Sequence, residues 1–337
     1  MADDARVSLA LVVPVFNEEE ALPETYKILE QTLHDLNRPY EVVVIDNGSS
    51  DNTEAIMQGI ARQNPCWKYI RLSRNFGYQN SITAGMLATT CDAVIVIDAD
   101  LQDPPELIPV FVDHWQQGYD IVYGVRERRT EESAFRIWAT MMALRVISWM
   151  ADYPLPVHSS DFRLITRQVR ESFAQLPETN RYVRGLVHWL GYKQIGIPYT
   201  RRGRQYGAQG RQWAGAGLGY LISFVLDAVF SFSLKPLRVF LIIGVIVVIL
   251  SVLLAILYVF LWIVGQPPAG FTTLLVLSIA HLGITALGIG VLGEYLGRTY
   301  SEVKRRPLWL IDYTLNFEPP ASAPAGDPEK TSLEHRE

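Results

Sequence analysis

The chain is 337 residues long, with a formal net charge of −5 and two cysteines. That length holds one large domain or two modest ones with a real core, and the acidic balance gives a nucleic-acid partner no support. Cys66 and Cys91 are far apart and fit no metal-ligand spacing, so free thiols in a reducing compartment are expected rather than a disulfide.

The opening residues carry no basic segment, and their apolar run is short and ends in acids. No secretory signal is expected, and the N-terminal part is expected to stay in the cytoplasm. Residues 8–15, "SLALVVPV", form a near-continuous apolar run, as in a strand covered on both faces. A helix is predicted over 19–36 and a strand over 40–46. A second helix follows over 51–63, with Asp51 as its cap. Then come a strand at 69–72, a helix at 77–90, a strand at 93–98, a helix at 105–117 and a strand at 120–125. Such alternation predicts a doubly wound α/β sheet, in which ligands bind beyond the carboxyl ends of the strands.

Polar residues collect at those ends. Asn17 and Glu18 follow the first strand; Asp46, Asn47 and Gly48 the second; Asp98 and Asp100 the "AVIVI" run; Arg126 the last. Any one of them could be a cap or a turn residue, but as a set they read as a binding site. Asp98-Ala99-Asp100 suits a hard divalent cation that keeps positions open for phosphate oxygens, and Gln102 adds a neutral oxygen. Magnesium or manganese on a nucleotide diphosphate is the expected occupant, easing the departure of the diphosphate as a Lewis acid. No P-loop lysine motif and no G-x-G-x-x-G after the first strand is present, so ATP hydrolysis and dinucleotide redox chemistry lose ground.

The C-terminal third is different. Residues 239–264 carry no charge and would make about 39 Å of helix, enough to cross a bilayer. "GQPPAG" (265–270) breaks the run, and 271–292 forms a second, interrupted only by His281. Lys235 and Arg238 precede the first run; Arg298, Lys304, Arg305 and Arg306 follow the second. Two transmembrane helices, at about 239–264 and 271–295, are therefore expected, with both termini cytoplasmic. Glycines at 283, 288, 290, 293 and 297 predict close helix packing, within the hairpin or between protomers. His281 and Glu294 read as helix-to-helix hydrogen bonders. The helical spacings at 130–150 and 218–232 read either as core or as interfacial helices against the bilayer. The Pro- and Ala-rich tail past 317 reads as disordered. Arg181, Arg184, Arg201, Arg202, Arg204 and Arg211 cluster ahead of the spans. Singly they could meet solvent or lipid headgroups; together they could hold a phosphate.

"VVPVFNEEE", "VVVIDNGSSDNT", "RNFGYQNSITAG", "DADLQDPPE" and "HSSDFRL", in this order from residue 8 to about 310 with the hairpin, resemble the family 2 glycosyltransferases of GT-A fold. The likeness is to polyprenyl-phosphate glycosyltransferases, both dolichol-phosphate mannose synthases and, nearer, bactoprenol glucosyltransferases. It implies a Rossmann-like GT-A domain over 1–211, a juxtamembrane segment over 212–236, the hairpin over 237–297 and a cytoplasmic return over 298–317. It places Pro14, Phe16 and Glu18 in a nucleotide pocket and Asp46 on the base or ribose, with Asn47 in place of the usual second acid and still able to bond a ribose. Asp98, Ala99, Asp100 and Gln102 would hold the diphosphate and metal, and Arg126 the donor phosphates. Asp161 sits at the position of the catalytic aspartate, with Arg163 beside it. Of the arginines, Arg181, Arg184, Arg204 and Arg211 are the candidates for the acceptor phosphate; Arg204 fits the family arginine, while Gly210 falls where the family has lysine, with Arg211 beside it.

The reaction so implied is inverting transfer from a UDP-sugar, with glucose the leading choice, to undecaprenyl or another polyprenyl phosphate at the inner membrane. A processive polysaccharide synthase is a competing reading, but "QGRQW" lacks its Gln-x-x-Arg-Trp order. An inactive membrane scaffold would have no need of Asp98, Asp100 and Asp161.

Overall fold

The computed structural model describes residues 8–126, 159–179, 181–203, 235–265 and 270–317. The helices read at 130–150 and 218–232, the tail past 317, and Arg204 and Arg211 lie outside the described residues. The chain divides into two compact units, Met1–Asp100 with Trp309–Glu337, and Leu101–Leu308.

The first unit alternates as the sequence predicts: β1 (Leu9–Val15), α1 (Leu22–Asp35), β2 (Tyr40–Asp46), α2 (Thr53–Gln63), β3 (Trp67–Leu72), α3 (Tyr78–Ala88) and β4 (Ala93–Val96). β1 pairs in parallel with both β2 and β4, and β2 with β3. All seven residues of β1 are buried, which explains an apolar run with no alternation. Each such Val, Leu or Ile contributes about 1.5–3 kcal/mol on full burial. α3 lies on β1 and β2 through Gly85, where a Cβ would stand 2.3 Å from Val12 Cγ1. Pro at the first turn of α1 and the αL residue Asn37 just beyond its end explain where that helix starts and stops. The expected cap Asp51 stands one residue before the N-cap Asn52, yet still serves the first turn: Thr53 N donates to its Oδ1 at 3.0 Å.

In the second unit come α4 (Leu107–Gln116), β5 (Ile121–Arg126), β6 (Ser159–Thr166), α5 (Arg167–Ala174), α6 (Val183–Trp189) and β7 (Gln194–Tyr199). β5 lies between β6, antiparallel, and β7, parallel. Two long helices follow, α7 (Lys235–Ile263) and α8 (Phe271–Lys304). Among the described residues one helix, over Val239–Leu261, is long and apolar enough to cross a membrane. Its side chains are apolar all round and face outward, with Leu241 69% and Val248 62% exposed; such a helix has no aqueous face. Among the described residues, Gly288 is the glycine of α8 that approaches α7, where its Cβ position lies 3.4 Å from Phe240. Gly283, Gly290, Gly293 and Gly297 meet nothing within 4 Å among the described residues. After α8 the chain returns to the first unit as β8 (Ile311–Leu315), antiparallel on β3. Cys66 is exposed and Cys91 buried, and no disulfide joins them.

Candidate active site

In the first unit the parallel register sets Val15 beside Asp46 and Val12 beside Val96, so Asn17, Asp46–Gly48 and Asp98 emerge at the same carboxyl end. Asn17 takes a left-handed φ of 53°, and its Oδ1 accepts from Ser50 N at 2.8 Å. Glu18 is buried and donates its amide to Thr53 Oγ1 at 2.9 Å. Pro14 is buried and Phe16 half-buried.

Asp46 is fully buried and already engaged. Ser49 N donates to Oδ1 at 2.7 Å; Tyr69 OH at 2.6 Å and Arg71 Nη1 at 3.1 Å donate to Oδ2. Burial, then the bond to Asp46, pushes the Tyr69 hydroxyl far above its ordinary value. Arg71 also pairs with Glu54 at 2.7 Å. Asn47 is equally committed: Nδ2 donates to Asn75 Oδ1 at 3.0 Å, and Oδ1 accepts from Phe76 N at 2.9 Å. An acid here could accept from Phe76 but could not donate to Asn75. The departure from two acids is thus the complement of an asparagine in the "RNFG" loop, a pairing 28 residues away. Gly48, at φ +76°, fits under that loop, since a Cβ would lie 2.8 Å from Arg74 C.

Asp98 and Asp100 are half-buried, with Ala99 turned in between them. Ala99 O accepts from Thr25 Oγ1 at 2.6 Å, and Asp98 Oδ1 accepts from the Tyr78 hydroxyl. Among the described residues no three His, Cys, Asp or Glu side chains converge as a metal cluster. Two accessible carboxylates on alternate residues nonetheless fit a hard cation that takes most of its oxygens from a diphosphate and water.

In the second unit Asp161, on β6, is 4% exposed. Arg184, on α6, grips both its oxygens, with Nε to Oδ1 at 2.9 Å and Nη2 to Oδ2. Arg163 Nη2 lies 3.8 Å from Oδ1 and donates to Ser160 O at 2.8 Å. Burial pushes the Asp161 carboxyl up, but the charge and bonds of Arg184, with Arg163 and Arg126, outweigh it and hold it below the usual carboxylate range. Arg184 is thus the partner of Asp161. Arg181 is buried and donates Nε to Glu178 O at 3.1 Å and Nη2 to Leu176 O at 2.7 Å, its guanidinium 5.1 Å from the Phe173 ring centre. Two of its three nitrogens thus hold its own loop, and Nη1 is buried with no hydrogen-bond partner among the described residues.

Arg126, at the end of β5, stands level with Tyr199 of β7 and donates Nε to its hydroxyl at 3.1 Å. The Tyr199 hydroxyl in turn donates to Asp103 Oδ1. Burial, then the charge of Asp103, pushes it up to about 12. Gln102 is half-buried, and its carbonyl accepts from Arg202 N at 3.0 Å. Tyr69 and Arg71 in the first unit, and Tyr199 and Asp103 in the second, carry much of the wiring around the candidate residues of each. Only Asp103 stood in a sequence motif; the others are strand residues whose partners are set by sheet register.

Residues 10–175 match the family model for glycosyl transferase family 2. The chain is 37% identical to an uncharacterized glycosyltransferase of Bacillus subtilis, over 93% of this chain and 95% of that one. It is 38% identical to a bactoprenol glucosyl transferase of Shigella phage SfX, over 90% of this chain and 99% of that one. A solved glucosyl-3-phosphoglycerate synthase from Mycobacterium tuberculosis is 23% identical, with a TM-score of 0.45, over 68% of this chain and 81% of that one. With relatives this similar along nearly their whole length, the chain belongs to glycosyl transferase family 2.

Proposed function

We propose that this enzyme moves glucose from UDP-glucose to a polyprenyl phosphate, with inversion, at the cytoplasmic face of a membrane. The observation that carries the reading is the match to the phage bactoprenol glucosyl transferase. At 90% of this chain it cannot be confined to the α/β part and must take in the apolar helices. α7 spans the bilayer and α8 returns, with Lys235 and Arg238 before them and Lys304, Arg305 and Arg306 after them on the inside. The open glycine face of α8 supports self-association.

Pro14, Phe16 and Glu18 line the nucleotide pocket. Asp46, with its oxygens already taken, acts by fixing Ser49 and Arg71 rather than by touching the ribose itself. Asn47 shapes the same wall through Asn75. Asp98 and Asp100, with Gln102 as a further oxygen, are the residues that would hold magnesium or manganese. When bound, the cation would neutralise charge on the departing diphosphate.

The acceptor's phosphate oxygen attacks the anomeric carbon. The bond from that carbon to the UDP oxygen breaks, and its electron pair leaves with UDP. A phosphate monoester has its second pKa near about 6, so it arrives largely as a dianion and needs no base. Asp161, held ionised by two arginines, is a poor proton acceptor. Its role is to orient the substrates and stabilise positive charge at the anomeric carbon. Attack in line from the opposite face turns an α-linked donor into a β-linked lipid.

Purified protein in micelles with undecaprenyl phosphate would be given UDP-glucose, UDP-galactose, UDP-N-acetylglucosamine or GDP-mannose, and nucleotide release followed. The reading expects release from UDP-glucose that requires both lipid and divalent cation. Release that ignores the lipid, or none from any donor, would contradict it.

A further inference from the structure

Asp103 is the third acid of "DADLQDPPE", and its sequence position invites the role of a third metal ligand. Its surroundings argue otherwise. The side chain is 1% exposed. Its Oδ1 accepts the Tyr199 hydroxyl and faces two cations, Arg126 Nη2 at 3.7 Å and Arg201 Nε at 3.8 Å. The two guanidinium groups beside this buried carboxylate offset its charge and repel a further divalent cation.

The cluster is built around this acid. Tyr199 is seated by Gly124, where a Cβ would lie 2.6 Å from the ring, and its ring packs edge-on to Phe162 at 6.3 Å. Next along the chain, Arg202 binds Gln102 O through its amide and Glu106 through its guanidinium at 3.0 Å. The stretch from Gln102 to Glu106 is therefore clasped to the end of β7. Two further atoms are unspent: among the described residues, Asp103 Oδ2 and Arg201 Nε are buried without a hydrogen-bond partner. One carboxylate between two arginines leaves one positive charge over, and both arginine side chains stay 29% exposed. A local positive surplus on two partly exposed arginines suits a phosphate dianion.

We propose that Asp103 is a positioning residue that holds Arg126 and Arg201 as a pair for a phosphate dianion, and is not a metal ligand. This rests on the transfer reading above. The dianion is either the nucleotide's or the acceptor lipid's; both present the same chemistry to the two arginines.

The test uses the full-length enzyme carrying Asp103→Asn or Arg201→Met, with Arg201→Met as the safer variant because that side chain is partly exposed. Manganese alone is titrated by paramagnetic resonance, UDP by calorimetry, and undecaprenyl phosphate through its KM. The expected result is manganese affinity within about twofold of wild type in both variants, with a loss of roughly tenfold or more in phosphate binding. A fall in UDP affinity assigns the dianion to the donor; a rise in lipid KM with UDP unchanged assigns it to the acceptor. The double variant should be little worse than either single one, because the two residues act as one unit. Loss of manganese affinity in Asp103→Asn, independent multiplying effects, or unchanged binding of both phosphates would overturn the proposal. Wild-type enzyme that binds UDP but labels no lipid would instead refute the transfer reading, leaving the UDP arm of this test intact.

Discussion

Asp161 shows how much a single residue's chemistry depends on its neighbours. Its folded carboxyl is held below its unfolded value of about 4, so the Arg184 pair stabilises the fold above that value and the contribution disappears as pH falls through the folded one. Asp161→Asn should therefore be less stable than wild type at pH 7, and the gap in urea midpoint should narrow below about pH 4. A gap that instead widened on acidification would contradict the assigned charge state. Turnover should fall by orders of magnitude while UDP binding stays near wild type. Asn47 makes a second case. Asn47→Asp, which restores the commoner acid, should destabilise by about 1–3 kcal/mol, because it sets a carboxylate against Asn75 Oδ1. A thermal melt and UDP titration would check it; unchanged stability would mean the Asn47–Asn75 contact does not matter. The acids at the strand ends were legible because they break apolar runs. Their partners were not: Tyr69, Arg71, Asn75 and Arg184 meet them only through sheet register and long-range packing, which no local pattern records.

At the scale of elements, strands buried on both faces announce themselves as unbroken apolar runs, which is why β1, β2 and β4 were legible. β8 gives no such signal. Its residues are largely exposed, it follows the apolar helices, and its partner β3 lies more than two hundred residues earlier. Side chains tie it down: Tyr313 OH donates to Glu54 at 2.8 Å and accepts from Gln58 at 2.9 Å, and Asn316 Nδ2 reaches Ala61 O at 2.6 Å. Because Glu54 also pairs with Arg71, β8 braces the group around Asp46. At the other end of the return, Glu302 on α8 accepts from Thr179 N at 2.9 Å and Thr179 Oγ1 at 2.8 Å. Glu302→Ala should cost about 1–3 kcal/mol by leaving that amide unmade, read as a lower denaturant midpoint; no change would mean the contact is solvent-screened. Gly85→Ala should cost a similar amount, about 1–3 kcal/mol, by forcing α3 off Val12.

For the whole molecule, labour divides, on the proposed reading, between an α/β part of the glycosyl transferase family 2 fold and long C-terminal helices, of which α7 is apolar enough to cross a membrane. α7 carries no charged residue from Val239 to Ile263, and among the described residues its Leu, Ile and Val side chains face outward. A chain with such helices suits an acceptor whose phosphate sits at a membrane surface, and the family 2 fold suits a nucleotide-sugar donor. The most direct measurement joins the two. Enzyme, undecaprenyl phosphate and manganese would be incubated with UDP-glucose labelled in the sugar, and the lipid extracted and counted, with Asp100→Asn and Asp161→Asn alongside. The account predicts label in the lipid with wild type and almost none with either variant. Label that stays in water with wild type, or lipid label that survives both substitutions, would contradict it.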